Sequence, residues 1–175
     1  FHSRVTDEKL SHLKSALGDT DVEIIMYVRR QDRWIDSAYR QFVEAGNQQS
    51  IEAIITHIMS VKAVDYLEQY QLWGDCFGRE KLKFRVYETQ QLQGGDTIHD
   101  FASVIGLQMT EQMKAFQYHA NPSLTALETE LLRMVNRISG QKSQTWQALR
   151  DVLGRDKTIN NKLYHCMSSE QRLQI

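Results

Sequence analysis

The sequence predicts an α/β fold built on a parallel sheet. Two short apolar runs, "VEIIMYV" at 22–28 and "KLKFRVYE" at 81–88, have the length and β-branched or alternating character of strands. Segments with helical spacing of apolar residues lie between and around them, and strands that alternate with helices pair in parallel. After the second run only helical patterns follow, so the C-terminal half is expected to be helix-rich.

The elements justify this in order. Residues 6–17 place Leu10, Leu13 and Leu17 at helical spacing, with Thr6 as cap and Gly18 as stop. The run 22–28 follows as a buried strand. From Asp32, a good cap residue, Trp34, Ile35, Ala38, Phe42 and Ala45 recur at helical spacing until Gly46. Residues 50–77 read as one long helix or two consecutive ones, ending near Phe77-Gly78. The second strand, 81–88, leads to a turn at Gly94-Gly95, and Asp96 caps a helix that ends at Gly106. Beyond Pro122 a helix over 124–139 opens with Thr125 and Glu128 in capping-box spacing, and 143–153 makes another. At the end, Ser168 and Gln171 have the same spacing before "RLQI".

A length of 175 residues suits one domain with a sizeable core, over 1–175. Two strands are few for so many helices, and the last helix stops after two turns. Both observations lead us to expect a piece of a longer chain, truncated at both ends, with further strands lying before Phe1 or supplied by a homodimer partner.

Composition narrows the function classes. The net charge is −1, so the molecule as a whole is no electrostatic nucleic-acid binder and any anion site must be local. No apolar run approaches the roughly 18 residues of a membrane span, and the N-terminus does not read as a signal peptide. Cys76 and Cys166 stand apart without a metal-ligand motif; two reduced thiols suit a cytoplasmic location, and one long-range disulfide is the alternative. No HxxxH or HExxH occurs, so no metal is expected. "SGQKSQT", 139–145, superficially suggests a phosphate-binding loop. However, Lys142 comes one position late, Val135 stands where the first glycine belongs, and the preceding segment is helical, so it reads as a helix–helix turn.

The end of the first strand carries more chemistry. Ligands of open parallel sheets bind beyond the carboxyl ends of the strands. Arg29 and Arg30 lie there, and the helix that follows starts within a few residues, offering its N–H groups to an anion. Ser37 lies about one turn inside that helix, sharing a face with Arg33 and Trp34. An arginine fork, a hydroxyl and a helix terminus together make a phosphate receptor. Set against this is the plainer account that strand-end charges and a helix serine simply face water.

Arg29-x7-Ser37 across a strand–loop–helix junction, followed by Ala38-Tyr39, resembles the 3′-phosphate-binding element of sulfotransferases that use 3′-phosphoadenosine 5′-phosphosulfate. The spacing selects Arg29 over Arg30. The stretch 72–107 is similar to the family's Trp-x-x-x-Phe-Gly, its strand ending in Arg-x-Tyr-Glu, and its helix ending in Ile-Gly-Leu. "NPSL" at 121–124 with the helical "LLRMVNR" resembles bacterial sulfotransferase-like proteins of surface-polysaccharide and glycolipid pathways. The resemblance covers most of residues 20–140.

It implies a P-loop-like sulfotransferase fold with Arg29 and Ser37 on the 3′-phosphate and Tyr87 near the adenine. It further implies transfer of a sulfuryl group from the nucleotide donor to a hydroxyl acceptor, a carbohydrate or glycolipid. The family's lysine-containing loop for the 5′-phosphosulfate is not among these 175 residues, and any copy would precede Phe1. The catalytic base is unassigned; His2 and His12 lie upstream of the strand, as the base does in some relatives. The alternative is a non-catalytic sulfotransferase-like domain that binds a nucleotide or a protein.

Overall fold

The computed structural model describes residues 5–111, 124–139, 144–155, 166–173 and 175. His2, residues 121–123 with Pro122, and 140–143 with Lys142 lie outside them. The chain divides into two compact units, Phe1–Arg30 with Val61–Tyr118, and Gln31–Ser60 with His119–Ile175.

The first unit holds the sheet. Helix α1 (Asp7–Leu17) starts where the Thr6 side chain accepts from the Lys9 N–H, as expected. Strand β1 (Ile24–Val28) and strand β2 (Leu82–Val86) pair in parallel, with Ile24 opposite Leu82 and Val28 opposite Val86. The mixed α/β class is therefore as expected.

Both strands are shorter than the apolar runs suggest. Ahead of β1, Glu23 and Asp21 reach sideways to Lys83 (2.7 Å) and Lys81 (2.5 Å). Beyond β2 the chain bends at once, because the Glu88 N–H donates to the Val86 carbonyl.

Successive strand residues point to opposite faces, and each face has its helix. Helix α4 (Tyr66–Phe77), capped by Asp65, packs one face through Tyr70, edge-on to Phe84 with ring centroids 5.3 Å apart. It also packs against α1, whose Lys14 ammonium donates to the Cys76 carbonyl. Helix α5 (Thr97–Val104) covers the other face through Asp100. Its cap is Asp96, which accepts from the Ile98 and His99 N–H groups. Leu10, Val64, Leu92 and Ala102 are buried in this unit.

The second unit is helical. Helix α2 (Gln31–Glu44) buries Ile35, Ala38, Tyr39 and Val43 along one stripe. It starts one residue earlier than the sequence suggests. Asp32 is therefore not the cap but a buried first-turn residue, where the helix dipole still favours its negative charge.

The predicted stop at Gly46 is borne out. Gly46 takes φ 94°, its N–H donates to Val43, and the Asn47 N–H donates to Phe42, a Schellman ending that a β-carbon would strain. Gly106 closes α5 in the same way, with φ 72°.

The stretch 50–77 resolves into two helices, α3 (Ile51–Ser60) in this unit and α4 in the other. Helix α6 (Ala126–Ser139) opens with the expected capping box, since Thr125 N–H meets Glu128 Oε2 and Glu128 N–H meets Thr125 Oγ1. Helix α7 (Gln144–Arg155) packs against α6, and the short α8 (Ser169–Leu173) has the predicted Ser168–Gln171 box.

Candidate functional site

The carboxyl ends of the two strands lie side by side, because the Tyr87 N–H donates to the Val28 carbonyl at 2.7 Å. That bond continues the parallel ladder one step past the strands and brings Arg29 and Tyr87 together. The Arg29 guanidinium carbon stands 5.8 Å from the centre of the Tyr87 ring, a cation–π contact. Two residues chosen from the sequence for the same ligand thus meet at the carboxyl ends of parallel strands, the place where ligands of open parallel sheets bind.

Tyr66, the first residue of α4, fixes this corner from below. Its hydroxyl donates to the Arg29 carbonyl at 2.6 Å, and burial raises its pKa. Nothing in the sequence singles it out, since 37 residues separate the partners.

Directly behind Arg29 and Tyr87 lies a charged network that sequence reasoning missed. Tyr27 and Arg85 are register partners on the face covered by α5, and both converge on Asp100. The Asp100 carboxylate is fully buried and accepts from the Tyr27 hydroxyl (2.7 Å), Arg85 Nε (2.9 Å), Arg85 Nη2 and the Gln93 N–H (2.9 Å). Arg85 and then the Gln93 N–H hold its carboxyl far below the ordinary carboxylate range. Burial, reinforced by the hydrogen bond to Asp100, pushes the Tyr27 phenol up to about 12. The network ties β1, β2, α5 and the 93–95 turn together through one carboxylate.

Beside α5, a cleft of about 660 Å³ is lined by Gln93, His99, Ser103 and Gln108 among others. The Asp96 carboxylate orients the His99 ring through Nδ1. Of the base candidates taken from the sequence, His12 is exposed on α1 and His2 lies outside the described residues.

Ser37 belongs to the second unit, half-buried in the second turn of α2. Its neighbours on α2 are engaged in structure. Asp36 pairs with Arg40 at 2.7 Å and accepts from the Cys166 N–H, and the Tyr39 hydroxyl donates to Glu130. Burial and the Glu130 hydrogen bond raise the Tyr39 pKa. Trp73 stacks on Phe77 within α4. Both cysteines are free thiols, and burial raises the Cys166 pKa. Among the described residues no cluster could hold a metal ion, and no helix is long and apolar enough to cross a membrane.

No family model matches this chain, and no solved structure matches it. The chain is 28% identical over 154 residues to an uncharacterized protein of Archaeoglobus fulgidus. The match takes in 87% of this chain and 41% of that protein, so the chain spans about two fifths of its relative's length.

Proposed function

We propose that this chain carries the nucleotide-binding part of a sulfotransferase. It would take 3′-phosphoadenosine 5′-phosphosulfate as donor, with a carbohydrate or glycolipid hydroxyl as acceptor. Arg29 grips the 3′-phosphate and Tyr87 lies along the adenine; the motif resemblance assigns Ser37 to the same phosphate. One observation carries most of the weight. Arg29 and Tyr87, picked from two motifs 58 positions apart in the sequence, stand against each other at the carboxyl ends of paired parallel strands. A guanidinium beside an aromatic face suits a phosphorylated purine nucleoside, whose base stacks and whose phosphate takes the fork.

The 3′-phosphate contact is a holding role. In sulfuryl transfer the acceptor oxygen attacks in line while cations and N–H donors stabilise the charge on the transferred group, and remote binding energy positions the donor.

The test is calorimetric titration of the full-length protein with adenosine 3′,5′-bisphosphate. Arg29→Ala should weaken binding by about 1.5–3 kcal/mol, the value of a charge-assisted hydrogen bond. Tyr87→Ala should cost about 1–3 kcal/mol of stacking, and Ser37→Ala should cost a smaller hydroxyl contact. Equal affinity in the parent and all three variants would sink the assignment. Binding without sulfuryl transfer to any hydroxyl acceptor would favour the non-catalytic alternative.

A further inference from the structure

Helix α6 is packed on one side and apolar on the opposite, exposed side. One side, with Thr129, Leu132 and Asn136, is buried within the second unit. The other carries Leu127, Leu131, Met134 and Ile138, which are 51%, 39%, 50% and 86% exposed. A surface helix ordinarily turns a polar face to water opposite its core face. Here four large apolar residues form one narrow stripe, spaced four, three and four positions apart, the seam spacing of paired helices.

We propose that this stripe is a self-association surface, on which α6 of a second copy of this chain packs antiparallel. Two features of the helix select that occupant. The spacing reads the same in both directions. A twofold axis at the middle of the stripe therefore sets Leu127 against Ile138 of the other copy and Leu131 against Met134, which is the self-complementarity an isologous dimer requires.

The charges beside the stripe are also complementary under the same operation. Glu130 lies in the N-terminal half and Arg137 in the C-terminal half of one flank, so an antiparallel pair sets each glutamate near the partner's arginine. Glu130 already binds Tyr39 and Arg133, yet 37% of its side chain is exposed, which leaves a carboxylate edge for Arg137. A parallel twofold pair would instead set this flank against the opposite flank of the partner helix, and Glu130 and Arg137 would not meet. The two antiparallel helix dipoles add to the preference. This surface is independent of the nucleotide reading.

One four-turn seam buries less than the ~1,000 Å² of a firm interface, so the dimer is weak and reversible. Sedimentation equilibrium on the whole chain, over a series reaching about 1 mM, should show a monomer–dimer equilibrium. Ile138→Glu should raise its dissociation constant about tenfold or more. Arg137→Glu should raise it less, with far-UV circular dichroism unchanged in both. Direction is read in a Cys76→Ser, Cys166→Ser background by mixing Leu127→Cys and Ile138→Cys proteins, which should form a mixed disulfide. A monomer at every concentration overturns the proposal and leaves the stripe to another segment of a longer protein or to a different partner. So does a dimer indifferent to both charge variants, or one whose Ile138→Cys form links only to itself.

Discussion

Asp100 shows how much one side chain can organise. Four donors converge on a carboxylate with no solvent access, and three of them come from the two strands described. Burial of an unanswered carboxylate would be prohibitive, so the anion persists because Arg85 and the Gln93 N–H compensate it. Its native pKa is depressed, whereas the unfolded chain titrates near ~3.9. Its contribution to stability is therefore complete above about pH 4 and fades as pH falls through the native value, because only the unfolded state gains the proton first. Asp100→Asn should lower the melting temperature at neutral pH and flatten the loss of stability on acidification. Thermal melts at a series of pH values check this; parallel pH profiles for parent and variant would refute the role. Tyr66 is the neutral counterpart of Asp100, a single hydroxyl that pins the backbone of Arg29.

At the level of elements, helix ends are set by short-range bonds and were legible from the sequence. Thr6, Asp96, the Thr125–Glu128 pair and the Ser168–Gln171 pair all bond within about one turn, so residue spacing is enough to find them. Thr125→Ala should destabilise α6 by about 1 kcal/mol, measurable by urea unfolding. Asn136 on the same helix works differently. It is fully buried, and its Nδ2 donates to the Val43 carbonyl (2.8 Å) and the Asn47 carbonyl (3.1 Å), closing the end of α2 from 93 and 89 residues away. Asn136→Leu should cost about 1–3 kcal/mol, because it takes a donor from both carbonyls, and only that of Val43 keeps another, the Gly46 N–H. A urea midpoint equal to that of the parent would show that the two carbonyls find other donors. Nothing about Asn136 in the sequence distinguishes it from a surface asparagine.

Over the whole molecule, acidic and basic groups nearly cancel, and the isoelectric point is ≈ 6.7. Solubility of this chain should therefore be lowest near neutral pH and rise on either side, a dependence readable from light scattering across a pH series. The contact pattern assigns Arg29 and Tyr87 to one unit and Ser37 to the other. A chain organised in two units fits the alternation seen in the sequence, where α2 and α3 interrupt the strand-bearing part before α4 and β2 return to it.

By itself the sequence determined the α/β class, the parallel pairing of two strands, the position of nearly every helix and the residues worth testing at the strand end. Those features depend on periodicity and capping, which act over a few residues and so leave a local pattern. Only the tertiary structure decided that Arg29 lies over Tyr87, that Tyr27, Arg85 and Asp100 form one buried network, and that α6 leaves an apolar stripe opposite its packed face. Each of these depends on contacts between residues tens of positions apart, or on which helix face the core consumes. Side-chain identity alone carries no record of either.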